Sequence, residues 1–204
     1  MSKVTCDMTV SVDGFVAGPN QGPDTPLGEG AEGLHRWAFD EAEANAAELQ
    51  ELTAAGAFIM GRNMFGPGRG DWDLEWRGWW GPEPPYHNPV FVLTHHQRAP
   101  LEMQGGTTFH FVTGGIGEAL ERARAAARDQ DVAIAGGAAT VNQFLAAGLI
   151  DELRLHIAPV LLGRGERLFA GVERAELVQL GARHSKLVTH VRYAIPRDGA
   201  TDTT

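Results

Sequence analysis

The chain has 204 residues, of which 43% are hydrophobic and 21% charged, so it can bury one sizeable core and lacks the composition of a disordered chain. A single cysteine, Cys6, excludes an internal disulfide, and with no visible signal peptide we expect a cytoplasmic protein. The formal net charge of -9 argues against a nucleic-acid surface. No apolar run approaches the roughly 18 to 20 residues of a membrane span, so we expect no membrane contact.

The first half of the chain alternates short strands with helical and irregular segments. Alternating apolar and polar residues from Val4 to Val12 predict the first strand. Residues 17–30 are rich in glycine and proline, which predicts a loop of the kind that covers ligands. Apolar positions at helical spacing then predict one surface helix from Gly33 to Thr53, and residues 57–60 form a buried strand that runs into a helix.

The second half begins with an aromatic-rich segment. Residues 66–88 hold five glycines, four prolines and four of the five tryptophans, which is typical of an irregular, functional loop. Further strands are predicted at 89–94, 109–112, 132–135, 151–159, 176–182 and 187–195, with helices at Gly117–Arg128 and after Gly137. This pattern predicts an α/β sheet that is parallel in the middle and antiparallel at one edge. We expect one domain over residues 1–196 and a disordered tail at 197–204.

The strongest local motif is a buried strand that delivers two glycines to a helix. Its residues are Ala133-Ile134-Ala135-Gly136-Gly137-Ala138-Ala139-Thr140. Unpaired backbone N–H groups at a helix N-terminus bind phosphate, and glycine lets a pyrophosphate approach the backbone closely. The motif predicts a phosphate site, and the alternative is a tight strand-to-helix turn without a ligand.

Two further strand ends fit the rest of a dinucleotide. Gly61-Arg62-Asn63-Met64 follows a buried strand and offers backbone amides and a guanidinium, although such an arginine is often simply solvated. Leu93-Thr94-His95-His96, with Arg98, ends another strand in groups that can recognise an adenosine 2′-phosphate. Adjacent histidines also occur as weak metal sites or plain surface. Without a third ligand at coordinating spacing, we expect no metal.

Reduction by hydride also requires a proton donor, and several side chains are candidates. Asp13 follows the first strand, and we take it with Asp40 as a catalytic candidate. His35 and Asp40 lie about one turn either side of Trp37, so all three can face one pocket. We take His35 and Trp37 as substrate-binding candidates, and the alternative for these polar residues is a capping or solvated role.

The tryptophans of the 66–88 loop are the remaining substrate candidates. Trp72 and Trp76, with Trp79 and Trp80, could form a stacking wall for a flat heterocycle. They fit the core of a long loop equally well, because aromatic side chains contribute large burial energy in either role.

Taken in order, these segments resemble a dihydrofolate-reductase-like domain. The resemblance rests on MTVSVDGFVAG at 8–18, IMGRNMF at 59–65, VFVLT at 90–94 and IAGGA at 134–138. DELRL at 151–155, followed by PVLLG at 159–163 and RLF at 167–169, is similar to the C-terminal reductase domain of the bacterial riboflavin-biosynthesis protein RibD. The resemblance spans residues 3 to about 195.

The resemblance implies a three-layer α/β/α fold with a mostly parallel central sheet and antiparallel C-terminal edge strands. It also implies NADPH bound across the C-terminal edge of that sheet. Val16 and Ala17 would border the nicotinamide. The segments 61–64 and 135–140 would hold the phosphates, and Leu93, Thr94 and His95 would lie near the adenosine 2′-phosphate. It also implies a homodimer and hydride transfer to a small pyrimidine- or pterin-like heterocycle, as in a 5-amino-6-ribosylaminouracil reductase.

A second function fits the same residues. Because no single side chain is assured as a proton donor, the chain could bind a nucleotide or an aromatic ligand without turnover, as a sensor or self-resistance protein does. A flavin or deazaflavin in the same cleft is a further alternative. Steady oxidation of NADPH by any heterocycle would exclude the binding-only function.

Overall fold

The secondary structure follows the predicted alternation of strands and helices. The computed structural model describes residues 2–196, so the predicted tail at 197–204 lies outside the described residues. The strands are β1 (Val4–Ser11), β2 (Phe15–Ala17), β3 (Ala57–Gly61), β4 (Pro89–Leu93), β5 (Leu101–Glu102), β6 (Thr108–Val112), β7 (Val132–Gly136), β8 (Glu152–Ala158), β9 (Glu166–Arg167), β10 (Val178–His184) and β11 (Thr189–Ala194). The helices are α1 (Arg36–Asp40), α2 (Ala46–Glu51), α3 (Arg62–Phe65), α4 (Gly115–Ala127) and α5 (Ala138–Ala146).

A nine-stranded sheet forms the centre of the molecule. Its strand order is β10-β11-β8-β1-β7-β3-β4-β6-β5, and the six strands from β8 to β6 are parallel. The hairpin of β10 and β11 forms one antiparallel edge and β5 the other, while β2 pairs with β9 separately. The predicted α/β fold with antiparallel C-terminal edge strands is confirmed. Within residues 2–196, no helix is long and apolar enough to cross a membrane.

Alternating side chains of the central strands divide the core between the two faces of the sheet. On one face, Ile59, Phe91 and Ile134 pack with the apolar sides of α4 and α5. On the other face, Phe58 and Phe109 pack with the tryptophans of the 66–88 loop. The loop therefore forms part of the third layer, because its aromatic rings cover a face that no long helix covers.

The predicted continuous helix from Gly33 to Thr53 is wrong. The segment instead forms a 3-10 turn at Glu32–His35, then α1 and α2 with turns between them. Asn45 explains the break: its side-chain Nδ2 donates to the backbone carbonyls of Trp37 at 3.1 Å and Glu41 at 3.0 Å. A side chain that occupies main-chain acceptors competes with the helix ladder. This packing holds Trp37 and Asn45 fully inside the protein.

Candidate active site

A deep cleft lies at the carboxyl ends of the central parallel strands. Its volume is about 840 Å³, near the upper end of the roughly 300 to 1,000 Å³ range of small-molecule sites. Gly61 at the end of β3, Thr94 after β4 and Gly136 at the end of β7 all line it. Ligands of open α/β sheets bind at this edge, so the topology marks the cleft as the candidate active site.

The cleft enters the sheet between β1 and β7. Pairing of these two strands ends at Cys6 and Ile134, whereas pairing of β1 with β8 continues to Ser11 and Ala158. Beyond this point β7 shifts register and follows β3. The opening exposes Met8 and its neighbours on β1 to the cleft, together with the predicted nicotinamide neighbours on β2, Val16 and Ala17.

The diglycine motif forms one wall of the cleft. Gly136 has φ +122°, and a Cβ on it would lie 3.2 Å from Sδ of Met64, so only glycine suits this position. Gly137 is the N-cap residue of α5, and no side chain donates or accepts a capping hydrogen bond at the first turn of this helix. Residues 135–140 all line the cleft. An uncapped helix start beside a glycine is the arrangement that binds phosphate.

Arg62 also lines the cleft, but its guanidinium is already engaged by the aromatic loop. It stacks 3.9 Å from the centre of the Trp72 ring and donates to the carbonyls of Gly70 and Asp71. Arg69 also lines the cleft. Its position was not predicted, because it lies inside the irregular loop and belongs to no local motif. Arg62 therefore shapes the wall, and Arg69 adds a second positive charge to it.

The end of β4 contributes polar groups at the mouth of the cleft. Leu93, Thr94, His95 and His96 line it, and Oγ1 of Thr94 accepts a hydrogen bond from the His96 backbone N–H at 3.1 Å. Arg98, in contrast, turns away and donates to backbone carbonyls of the aromatic loop at 2.8 and 3.1 Å. Of the residues predicted at this strand end, His95 and His96 therefore line the cleft, and Arg98 does not.

Asp13 lies outside the cleft and has a structural role in place of the predicted catalytic one. Its carboxylate accepts hydrogen bonds from the Ser11 hydroxyl at 2.6 Å and from the backbone N–H groups of Leu162 at 3.1 Å and Gly163 at 2.6 Å. These bonds, that of Ser11 foremost, lower the pKa of Asp13 to about 2 because they stabilise the carboxylate. A carboxyl group ionised at neutral pH is a poor proton donor.

The other catalytic candidate, Asp40, is also placed away from the cleft. It is exposed on α1, where its carboxylate lies 2.8 Å from Nε of Arg36 one turn earlier. This is an ordinary surface ion pair at i,i+4 spacing, worth a few tenths of a kcal/mol, or about 0.3 to 0.5. The geometry gives Asp40 no access to a bound substrate.

The tryptophans divide between the core of the loop and the cleft. The indole N–H groups of Trp72 and Trp76 donate to backbone carbonyls at 2.8 and 2.9 Å, and neither residue lines the cleft. Trp79 and Trp80 do line it. The candidate stacking surface is therefore formed by the second pair, while Trp72 and Trp76 fix the shape of the loop.

The floor of the cleft holds polar residues that sequence reasoning missed. Asp7 and Thr9 of β1 and His156 of β8 line it beside the predicted His35 and Trp37. The Trp37 ring lies 4.9 Å from His156, and its N–H points to Oγ1 of Thr9 at 3.3 Å. Burial, and secondarily the neighbouring His156, lower the pKa of His35. In a strand whose apolar and polar residues alternate, polar residues such as Asp7 and His156 are expected to face solvent. Only the pairing of β1 with β8 shows that these side chains lie together.

The sheet order and this edge cleft define a dihydrofolate-reductase-type α/β domain. The model of the RibD C-terminal domain family matches residues 2–192, and the chain belongs to that family. The predicted resemblance is thereby confirmed.

Known relatives cover nearly the whole chain at low identity. An uncharacterized protein of Bacillus subtilis, YyaP, is 25% identical over a 182-residue alignment that covers 84% of this chain and 82% of YyaP. A putative riboflavin biosynthesis protein from Shewanella sp. PV-4 superposes with a TM-score of 0.66 at 21% identity, over 96% of this chain and 99% of its own. A pyrimidine reductase-like protein from Corynebacterium diphtheriae superposes with a TM-score of 0.58 at 18% identity, over 97% of this chain and 93% of its own. At such identities, the structural likeness establishes the fold.

Proposed function

We propose that the protein is an NADPH-dependent reductase that transfers hydride to a small pyrimidine- or pterin-like heterocycle. The observation that carries the proposal is the start of α5, which no side chain caps, beside Gly136 inside the cleft, where a φ of +122° favours glycine. Membership of the RibD C-terminal domain family and the likeness to a pyrimidine reductase-like protein support the reaction class. Both point to reduction.

The residues of the cleft fit each part of NADPH. The first N–H groups of α5, at Ala138 and Ala139, are available to the pyrophosphate. Arg69 and His95 line the wall where the adenosine 2′-phosphate would lie. Val16, Ala17 and the opening between β1 and β7 suit the flat nicotinamide. When bound there, NADPH supplies the hydride, and the protein supplies position, exclusion of water and a proton.

The rest of the cleft suits a flat, polar substrate. Trp79 and Trp80 present aromatic surface, while Asp7, Thr9 and His35 present hydrogen-bonding groups. A few polar groups within a mostly apolar wall fix the orientation of a ligand and give specificity. A pyrimidine or pterin has both the flat apolar faces and the polar edge that such a site selects.

Titration of the protein with NADPH and with NADH, followed by quenching of tryptophan fluorescence, tests the cofactor half. Ala139→Asp is the decisive variant. A carboxylate in the first turn of α5 stabilises the helix but repels phosphate, so we expect unchanged or higher thermal stability with at least about tenfold weaker NADPH binding, or about 1.4 kcal/mol. Ala125→Asp, on the exposed side of α4 and outside the cleft, adds the same charge as a control.

Turnover separates a reductase from a protein that only binds. The substrate panel contains 5-amino-6-ribosylaminouracil and its 5′-phosphate, dihydropterins and quinones, with NADPH oxidation followed by absorbance. Steady oxidation with a heterocycle supports the reductase. Tight NADPH binding without oxidation by any member contradicts it and favours sequestration of an aromatic ligand. Absence of binding to either dinucleotide removes the cofactor proposal altogether.

We also propose that the protein forms a homodimer through the free edge of β10. This strand ends the sheet, and Val178 and Leu180 on it are 53% and 52% exposed, with Leu177 beside them at 40%. An exposed edge strand with aliphatic side chains pairs readily with another strand. A second copy offers the same edge, and a two-fold arrangement would bury both.

A further inference from the structure

A chain of buried polar side chains runs inward from the floor of the cleft. Oδ1 of Asp7 faces Nε2 of His156 at 3.6 Å, and the two side chains are only 8% and 4% exposed. On the other side of the ring, Nδ1 of His156 lies 2.7 Å from Nδ1 of His190. Nε2 of His190 lies 3.0 Å from Oδ1 of Asn45, which ends the chain.

Asn45 fixes the hydrogen positions along this chain. Its Nδ2 donates to two backbone carbonyls at 3.0 and 3.1 Å, so its Oδ1 is the acceptor and His190 donates from Nε2. Burial, and then the neighbouring His156, lower the pKa of His190 to about 4, so this ring is neutral near pH 7 and its Nδ1 carries a lone pair. His156 must therefore carry a hydrogen on Nδ1 and donate it to His190.

The tautomer of His156 leaves its Nε2 turned towards Asp7. Among residues 2–196, neither Nε2 of His156 nor Oδ1 of Asp7 has a hydrogen-bond partner. A lone pair and a carboxylate that face each other in a buried site are unfavourable unless one proton lies between them. A single proton shared by Nε2 of His156 and Oδ1 of Asp7 satisfies both atoms.

We propose, on the basis of the reductase function above, that the Asp7–His156 pair is the proton donor of the reaction. When bound in the cleft, NADPH would supply hydride to the carbon of a substrate C=N or C=O bond, the π electrons of that bond would move to the heteroatom, and the heteroatom would take the proton of the pair. NADP⁺ and the reduced substrate would then leave, and a proton from solvent would restore the pair. Asp7 lines the cleft, and its carboxyl passes the proton from His156 to the substrate. His190 and Asn45 are positioning residues.

Other charged groups surround the pair. The guanidinium of Arg154 lies 3.5 Å from Oδ2 of Asp7 and also contacts Glu51 at 3.6 Å and Glu152 at 2.8 Å. This cation occupies the second oxygen of Asp7 and leaves Oδ1 for His156. Other titratable groups near the pair and its partners include Cys6, His35, His190, Glu48 and Arg183.

Nitrogen-15 NMR of the imidazole rings in the free protein tests the proton store without turnover. We expect His190 to carry hydrogen on Nε2 between about pH 5 and 8, and His156 to carry it on Nδ1. Asp7→Asn removes the carboxylate that faces Nε2 of His156, so we expect the Nε2 chemical shift to change while Nδ1 keeps its hydrogen. Glu51→Gln removes another carboxylate near Arg154 and leaves the His156 tautomer unchanged. The opposite tautomer of His156, with bare Nδ1, overturns the proposal.

Kinetics with the substrate found in the panel test the chemical role. General acid catalysis contributes about 10²- to 10⁴-fold, so kcat falls at least about 100-fold in Asp7→Asn and His156→Gln, while the Kd of NADPH changes less than about twofold. His110→Gln, which replaces a half-buried histidine on β6 outside the cleft, keeps the wild-type values.

The outcomes separate this proposal from the proposed function. If the wild-type protein turns over a substrate and both variants keep its kcat, the pair is not the proton donor and the reductase function stands. If no substrate in the panel supports NADPH oxidation by the wild-type protein, the reductase function fails and the proton-donor role fails with it. Loss of kcat in both variants with the expected tautomers supports both.

Discussion

A Cβ atom on Gly61 would lie 2.5 Å from Oγ1 of Thr140. Gly61 ends β3 and Thr140 lies in the first turn of α5, so this contact brings the two predicted phosphate segments together at one point of the cleft. Gly61 has ordinary extended torsions. The glycine is therefore required by the close approach of α5 and not by its own backbone conformation.

Replacing Gly61 with alanine is expected to separate β3 from α5. Forcing one extra methyl group into a packed contact costs about 1 to 3 kcal/mol, so Gly61→Ala should lower the free energy of unfolding by that amount and weaken NADPH binding. Thr140→Ala in the Gly61→Ala background removes the colliding oxygen and should recover most of the loss in stability. Urea unfolding of the two single variants and the double variant gives the coupling, and additive losses would show that the two residues do not collide.

Asp13→Asn is expected to destabilise the protein in a pH-dependent way. The native pKa of Asp13 is about 2, against about 3.9 in an unfolded chain. A lowered carboxyl pKa adds stability that is fully present above the unfolded value and is lost as pH falls through the native one. The melting temperatures of wild type and Asp13→Asn should therefore differ at pH 6 and converge between about pH 4 and 2. Asp129→Asn, at an exposed aspartate on the surface, should follow the wild type throughout.

Arg62→Lys is expected to loosen the aromatic loop although it keeps the charge. Lysine cannot stack on Trp72 and donate to two carbonyls at once, as the planar guanidinium does. We expect a loss of about 1 to 2 kcal/mol in stability and faster amide hydrogen exchange in residues 68–72. The exposed Arg174→Lys serves as the control. Unchanged exchange in the loop would show that Arg62 does not hold it.

Local patterns were sufficient to predict that residues 61–64 and 135–140 lie together on one wall of the cleft. A few adjacent residues are enough to predict the strand that ends at Gly136 and the helix that follows Gly137. The same holds for the turn at Gly61. Each strand ends at the same edge because parallel strands align their carboxyl ends. The phosphate segments could therefore be placed together without knowing any side-chain contact.

The polar floor of the cleft depends on contacts that the sequence does not display. Asp7 and His156 meet because β1 and β8 pair in one register, with Thr9 opposite His156, although they are 149 residues apart. The break in the predicted helix depends on the buried side chain of Asn45. Its neighbours in the sequence are alanine, glutamate and leucine, which all favour a helix. The position of Asp13 could not be predicted, because the backbone N–H groups that donate to its carboxylate belong to Leu162 and Gly163, 149 and 150 residues away in the sequence.

Charged residues on β10 are expected to convert the proposed homodimer into a monomer. Lysine at Val178 and Leu180 replaces two half-exposed aliphatic side chains on the edge strand, and lysine on an edge opposes strand pairing through desolvation and like-charge repulsion. Light scattering at micromolar concentration should give twice the 21.9 kDa chain mass for wild type and the single mass for the Val178→Lys Leu180→Lys variant. Glu102→Lys, on β5 at the opposite edge, should remain dimeric. A monomeric wild-type protein at this concentration would exclude the interface.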